Sequence, residues 1–289
     1  MFDYKVGLFA LIAVVFLSGC ATSLTNSSPA KTYEAGKGQV AFTFEVDVHS
    51  QAFTGIYSAG RAAAAAITEE DDTQVASVEA LRTILDAVLL WQLFPFSSGP
   101  EIMGRIGLYD GILEGIDFGF RYNGTVAKGD LRLQLWESPD STQALSAQVS
   151  YGRHGSLFSS LLETVDLAEW SRHDFDFLLS FGAERGDWFR GYIAPRYLHS
   201  RVDTTILFGE TIRARLPQEV RDLEPAEYFR PGGIHYMGAN LGTMLGYRWI
   251  FLAVELTVMR VIFRPTVLGS TRNYDGWVVA PNASILVNW

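Results

Sequence analysis

Apolar and polar residues alternate with period two along most of this 289-residue chain, and this restricts it to sheets with one apolar face. Phe42, Phe44, Val46 and Val48 are interleaved with Thr43, Glu45 and Asp47. Ile116, Phe118, Phe120 and Tyr122 alternate with Asp117, Gly119 and Arg121. The same pattern holds for Leu131 to Leu135, for Leu145 to Tyr151, and for Phe175, Phe177, Leu179 and Phe181 against Asp174, Asp176, Leu178 and Ser180. Val279, Pro281, Ala283, Ile285, Val287 and Trp289 share one face at the end. About ten strands are predicted, near 41–49, 101–109, 113–123, 129–137, 142–152, 171–184, 187–202, 234–247, 250–263 and 277–289, with eight to twelve allowed by boundary error.

A soluble β-sandwich has the same period, but three features favour an all-β, antiparallel, up-and-down transmembrane barrel. Many segments reach about ten residues, against five or six in soluble sheets. The polar faces carry charges and glycines in mid-strand: Asp117, Arg121, Arg132, Asp174, Asp176, Arg190, Arg196 and Glu255, with Gly238, Gly242 and Gly246. A narrow lumen accommodates such residues and a sandwich core does not. Aromatics gather at strand ends, with Trp136, Trp188, Trp249 and Trp289 at one set and Tyr122, Tyr151, Trp170 and Trp277 at the other, as two interfacial girdles would. The net charge of −9 argues against a nucleic-acid partner.

The predicted connections alternate in length. Asp110-Gly111, Ser138 to Ser141, Glu184 to Asp187 and Arg248-Trp249 are short turns. The gaps 50–100, 153–170, 203–233 and 264–276 are long, and Asn123-Gly124 reads as a type I′ hairpin. Outer-membrane barrels have short periplasmic turns and long external loops. Val75, Val78, Leu81, Leu85, Val88 and Leu89 predict an amphipathic helix from Thr73 to Leu93, either capping the barrel mouth or gating it.

The apolar run Val6 to Leu17 is too short to span a bilayer and suits a signal peptide. Leu17-Ser18-Gly19-Cys20 resembles a lipobox, and Cys20 is the chain's only cysteine. The expected organisation is a lipoprotein signal peptide at 1–19, a flexible tether at 20–38 and a barrel at 39–289. The chain resembles a Gram-negative outer-membrane β-barrel protein to which a lipoprotein signal has been added. The terminal Ile285, Val287 and Trp289 match that family's C-terminal assembly signal. The resemblance implies acylation of Cys20 and, as partners, outer-membrane lipids and the barrel-insertion and lipoprotein-sorting machineries. It also implies outer-membrane localisation with both termini on the periplasmic side.

Chemistry is sparse. His154-Gly155-Ser156 lacks an orienting third group, and Asp174 and Asp176 near His173 fit lumen salt bridges to Arg132, Arg190 and Arg196 better than proton transfer. No phosphate loop, nucleophile elbow or metal-ligand spacing is present, so no cofactor or metal is expected. Arg190, Arg196 and Arg201 would select anions if the lumen were open. The preferred expectation is a lipid-anchored barrel with a structural or surface-interaction role and no enzymatic activity, its surface ligand unread. The alternatives are a narrow channel or transporter for a small or apolar solute and, more remotely, a membrane-embedded hydrolase.

Overall fold

The computed structural model describes residues 22–52, 54–55, 57–58, 82–83, 85–86, 89–90, 93–94, 99–108, 115–154, 167–206, 218–224 and 228–289; at 99, 167–170 and 204–206 only the backbone is described. The predicted signal peptide, Cys20, Ser156 and the Asp110-Gly111 turn lie outside this set.

Ten strands form the barrel: β1 Gly38–Glu45, β2 Gly99–Gly107, β3 Ile116–Tyr122, β4 Val126–Glu137, β5 Gln143–His154, β6 Leu167–Arg185, β7 Phe189–Ile206, β8 Gly233–Tyr247, β9 Ile250–Ile262 and β10 Gly276–Asn288. Every neighbour is antiparallel and sequential, and β1 pairs with both β2 and β10, which closes the sheet. Closure removes the exposed edges that an open sheet would present. The predicted ten strands and up-and-down order are therefore those observed. Beyond β1, Val48–His49 rejoins β10, and Phe229–Arg230, Thr266–Val267 and Ser270–Thr271 make a small separate sheet.

The seam is fastened by the chain's last residue. Trp289 N–H donates to the Gly38 carbonyl at 3.1 Å and Gly38 N–H returns to Trp289 at 3.3 Å. A Cβ at Gly38 would stand 2.5 Å from the Trp289 ring, so glycine is needed where the indole covers the start of β1. This gives the terminal aromatic a structural task at the point where the barrel closes.

The alternation sorts side chains as predicted. Phe44, Phe120, Val149, Phe177, Ile193, Leu241, Val254 and Ile285 are exposed on the outside. Asp117, Arg121, Arg132, Asp174, Asp176, Arg196 and Glu255 are buried inside. Trp136, Trp188, Trp249 and Trp289 are exposed at the short-turn mouth, and Tyr122, Tyr151 and Trp277 at the other; the Trp170 side chain is outside the described set. Of the predicted lumen arginines, Arg190 faces inward only at the rim and Arg201 faces outward. Arg190 lies at the short-turn rim, 3.5 Å from Glu184 and over the Phe251 ring. Arg201 is exposed on the barrel's outer face, where it pairs with Asp203.

The Asn123-Gly124 hairpin is not type I′. Positive φ is confined to Gly124, the first central residue, and Asn123 Oδ1 accepts from the Thr125 and Val126 amides, which matches the type II′ pattern.

The mouth of the long connections is capped by an apolar core. Ala52, Leu89, Leu90, Leu93 and Phe94 from the first connection pack against Tyr236, Met259, Val261, Phe263, Tyr274 and Val278. Of the predicted helix from Thr73 to Leu93, positions 82, 83, 85, 86, 89, 90 and 93 are helical and the earlier half lies outside the described residues. Described positions from 50 to 58 are also helical, which the sequence reading missed. Asp86 accepts from Tyr274 at 2.5 Å and from Arg272, fixing the first connection to the last. Burial, aided by the Asp86 carboxylate, pushes the Tyr274 hydroxyl well above its ordinary value, so it remains a donor at any physiological pH.

Candidate functional site: the filled lumen

The expected tether is not a tether. Residues 22–30 are buried and lie along the lumen as an arm without helix or strand. An arm of this kind leaves its backbone groups unpaired, and buried backbone groups require partners. The inward-facing charges of the barrel supply them. Arg196 donates to the carbonyls of Leu24 and Ser23, Arg121 to that of Thr25, and Arg132 to those of Pro29 and Lys31. Asn240 reaches the Leu24 carbonyl at 2.8 Å and Gln39 the Ser27 carbonyl at 3.0 Å.

Carboxylates take the amides. Glu45 accepts from Leu24 N–H at 2.9 Å, and Glu255 accepts from Asn26 and Ser27 N–H at 2.8 and 3.1 Å. Ser27 has φ of +40°, the bend that aims two successive amides at one carboxylate. Asp117 accepts from Tyr33 N–H at 3.3 Å, and Gln134 accepts from Thr32.

The arm has a direction. Thr22 donates to Asp174, which lies opposite Gly152 near the long-connection end of β5 and β6. Ala35 bridges Gly107, at the short-turn end of β2. The chain thus runs down the lumen before turning into β1. Gly38 and Trp289 meet at the short-turn mouth, while Thr22, the first described residue, lies towards the long-connection end of the lumen. The strand count could not reveal this, because the reversal precedes the first strand.

The wall charges also pair with each other. Arg132 forks onto Asp117 at 2.5 and 3.1 Å, and Arg105 bridges Asp117, at 2.5 Å, and Asp130. Arg121 is 3.6 Å from Asp130. Arg196 forks onto Asp176 at 2.9 and 2.5 Å, and Lys128 also donates to Asp176. Asp174 accepts from Arg172, Ser200, Thr22 and, at 2.8 Å, His154 Nε2. Glu255 additionally accepts from Tyr192, Asn240 and Asn282. Tyr192 reaches across because Gly242 has no side chain; a Cβ there would fall 2.3 Å from the phenol ring.

Asp174 and Asp176 share a face as predicted, but each serves its own set of cations. The predicted pairing of both with Arg132 and Arg190 is not found. Among the described residues His154 Nδ1 has no partner, and the Ser200 and Thr22 hydroxyls both donate to the carboxylate rather than to the imidazole. A hydroxyl nucleophile needs the base as its acceptor. Asp174 is thus an acceptor hub.

Arg105, Lys128, Asp130 and Arg172 belong to the network and were not singled out in the sequence. Asp130 and Lys128 continue the Arg132 row two and four residues earlier, and a predicted strand start at 129 leaves Lys128 out.

Among known proteins, no protein family and no curated relative matches the chain. Solved structures are similar to it, among them two outer-membrane proteins. Neisserial surface protein A shares 7% identity, covering 88% of this chain and 96% of that one, at a TM-score of 0.32. Outer-membrane expressed OmpT of Vibrio cholerae shares 9% identity, covering 65% of this chain and 64% of that one, at a TM-score of 0.26. At these scores the fold rests on the strand register of the chain itself.

Proposed function

We propose that this chain is a lipid-anchored outer-membrane β-barrel whose lumen is closed by its own N-terminal arm, and whose role is structural or interactive at the cell surface. The observation that carries this reading is the arm, whose backbone is bonded to the lumen wall from Ser23 to Tyr33. The apolar belt outside the closed barrel supports membrane insertion, and short turns on the periplasmic side set the orientation. The apolar cap, held by Asp86 and Tyr274, supports a docked first connection rather than a gate. With the lumen filled, a channel reading requires the arm to leave.

The arm also revises where the lipid goes. A chain extends at most about 3.6 Å per residue, while the apolar band of such a barrel is about 25 Å tall. A lipid on Cys20, two residues before Thr22, therefore belongs with the outer leaflet in this reading and not the inner one. Cys20→Ala is expected to remove the acyl mass from the mature protein and to lower its outer-membrane content several-fold, read by mass spectrometry and membrane fractionation. Wild-type protein recovered unacylated from the soluble periplasm would contradict the proposal.

A further inference from the structure

The outside of the barrel carries a cationic row that neither the lumen nor the arm uses. In the register, Arg153 on β5 faces His173 on β6, which faces Arg201 on β7. Adjacent strands are about 4.8 Å apart, so the three side chains converge on one patch. The next row towards the membrane holds Tyr151, Phe175, His199 and His235, again in direct register. Below it the same strands present Val149, Phe177 and Ile193 to the bilayer. The cations are thus the first polar row beyond the apolar belt, on the side of the long connections. At that end β1, β2, β3 and β10 show Val46, Val48, Ile102, Tyr122 and Trp277 on the same face, without charge. On β9 the single Arg260 lies over the Trp277 ring, so among the described strands the three-member row is confined to β5, β6 and β7.

The side chains are arranged to donate. Tyr151 Oη lies 2.7 Å from His173 Nδ1 and leaves Nε2 outward; Tyr197 repeats this with His235 Nδ1 at 2.8 Å. When the phenol donates to Nδ1, the neutral imidazole carries its proton on Nε2, so His173 offers a donor even uncharged. Arg153 has no partner among the described residues. Arg201 is 3.2 Å from Asp203, the acidic neighbour described there, in an ion pair exposed enough to contribute little. Two guanidiniums and an imidazole N–H around one point fit a phosphate oxyanion.

We propose that Arg153, His173 and Arg201 bind the phosphate of an anionic lipid headgroup in the leaflet facing the long connections. The location favours a lipid over a soluble anion, because the acyl chains of the same molecule would lie on the Phe175 and Phe177 strip directly below.

The test is native mass spectrometry of the full-length, detergent-folded protein with phosphatidic acid, with phosphatidylcholine, and with phosphatidic acid in excess inorganic phosphate. The wild type should retain phosphatidic acid over phosphatidylcholine by about tenfold or more, since each basic residue near a lipid surface contributes about 1 kcal/mol. Arg153→Gln with Arg201→Gln should abolish that preference. His173→Gln should weaken it. Arg185→Gln, exposed at the opposite mouth, should leave it unchanged. Heat-modifiable migration verifies folding, and His173→Gln decides if the double variant does not fold. Equal retention of the two lipids by the wild type, or an undiminished preference in the variants, would overturn the proposal. Displacement of the lipid by inorganic phosphate would reassign the patch to a soluble anion.

Discussion

Deletion of residues 22–34 is expected to turn a silent barrel into a conducting one. The arm fills the lumen, and its backbone is the partner of Arg121, Arg132, Arg196, Glu45 and Glu255. Without it, those groups keep their wall partners and turn the bonds the arm had taken to water. The expected path is narrow, because the apolar cap remains. Thr22 and Leu24 line a small cavity under the cap with Asp47, His49, Leu93, Phe94 and Tyr236, so their removal widens the space there by one chain's cross-section. In planar bilayers the deletion should give discrete steps where the intact protein gives none. Steps of equal size from both proteins would mean that the arm does not seal the lumen.

Asp176→Asn is expected to destabilise the barrel by about 3–5 kcal/mol, the usual consequence of removing one member of a buried ion set. Asp176 is the carboxylate between Arg196 and Lys128, and all three are buried. Removing its charge strands two cations that have no route to solvent past the arm. Arg196 would keep its bonds to the Leu24 and Ser23 carbonyls, which offset part of the loss. Asp203→Asn is the matched control: its partner Arg201 is exposed on the outer face, and the change should stay within about 0.5 kcal/mol. Urea unfolding in lipid vesicles measures both. Equal, small effects would show that Asp176 is hydrated and the lumen open to water.

The barrel was legible because lipid outside and polar packing inside impose the same two-residue period on every strand. Phe175, Phe177 and Phe181 against Asp174, Asp176 and Ser180 could be assigned to faces without coordinates. The arm was not legible. Thr22 to Ala30 is small and polar, the composition of a linker, and nothing in its own spacing records burial. The clue lay on the wall, where Arg121 and Arg132 keep donors beyond those their carboxylate partners take and turn them to carbonyls of the arm. Those spare donors emerge only once the faces are assembled. Arg201 was misplaced for a simpler reason: it follows Arg190 and Arg196 on one strand, but its odd number places it on the outer face with Tyr197 and His199.

Disulfide trapping within the lumen tests the threaded arm most directly. Ser27 Oγ lies 2.8 Å from Ser284 Oγ on β10, and Thr43 Oγ1 on β1 lies 2.7 Å from the same hydroxyl. In a Cys20→Ala background, paired cysteines at 27 and 284 should cross-link under mild oxidation in intact cells. The pair at 43 and 284 reports closure of the barrel alone. Cross-linking of both pairs is the predicted result. A barrel that cross-links 43 to 284 but never 27 to 284 would contradict the threaded arm.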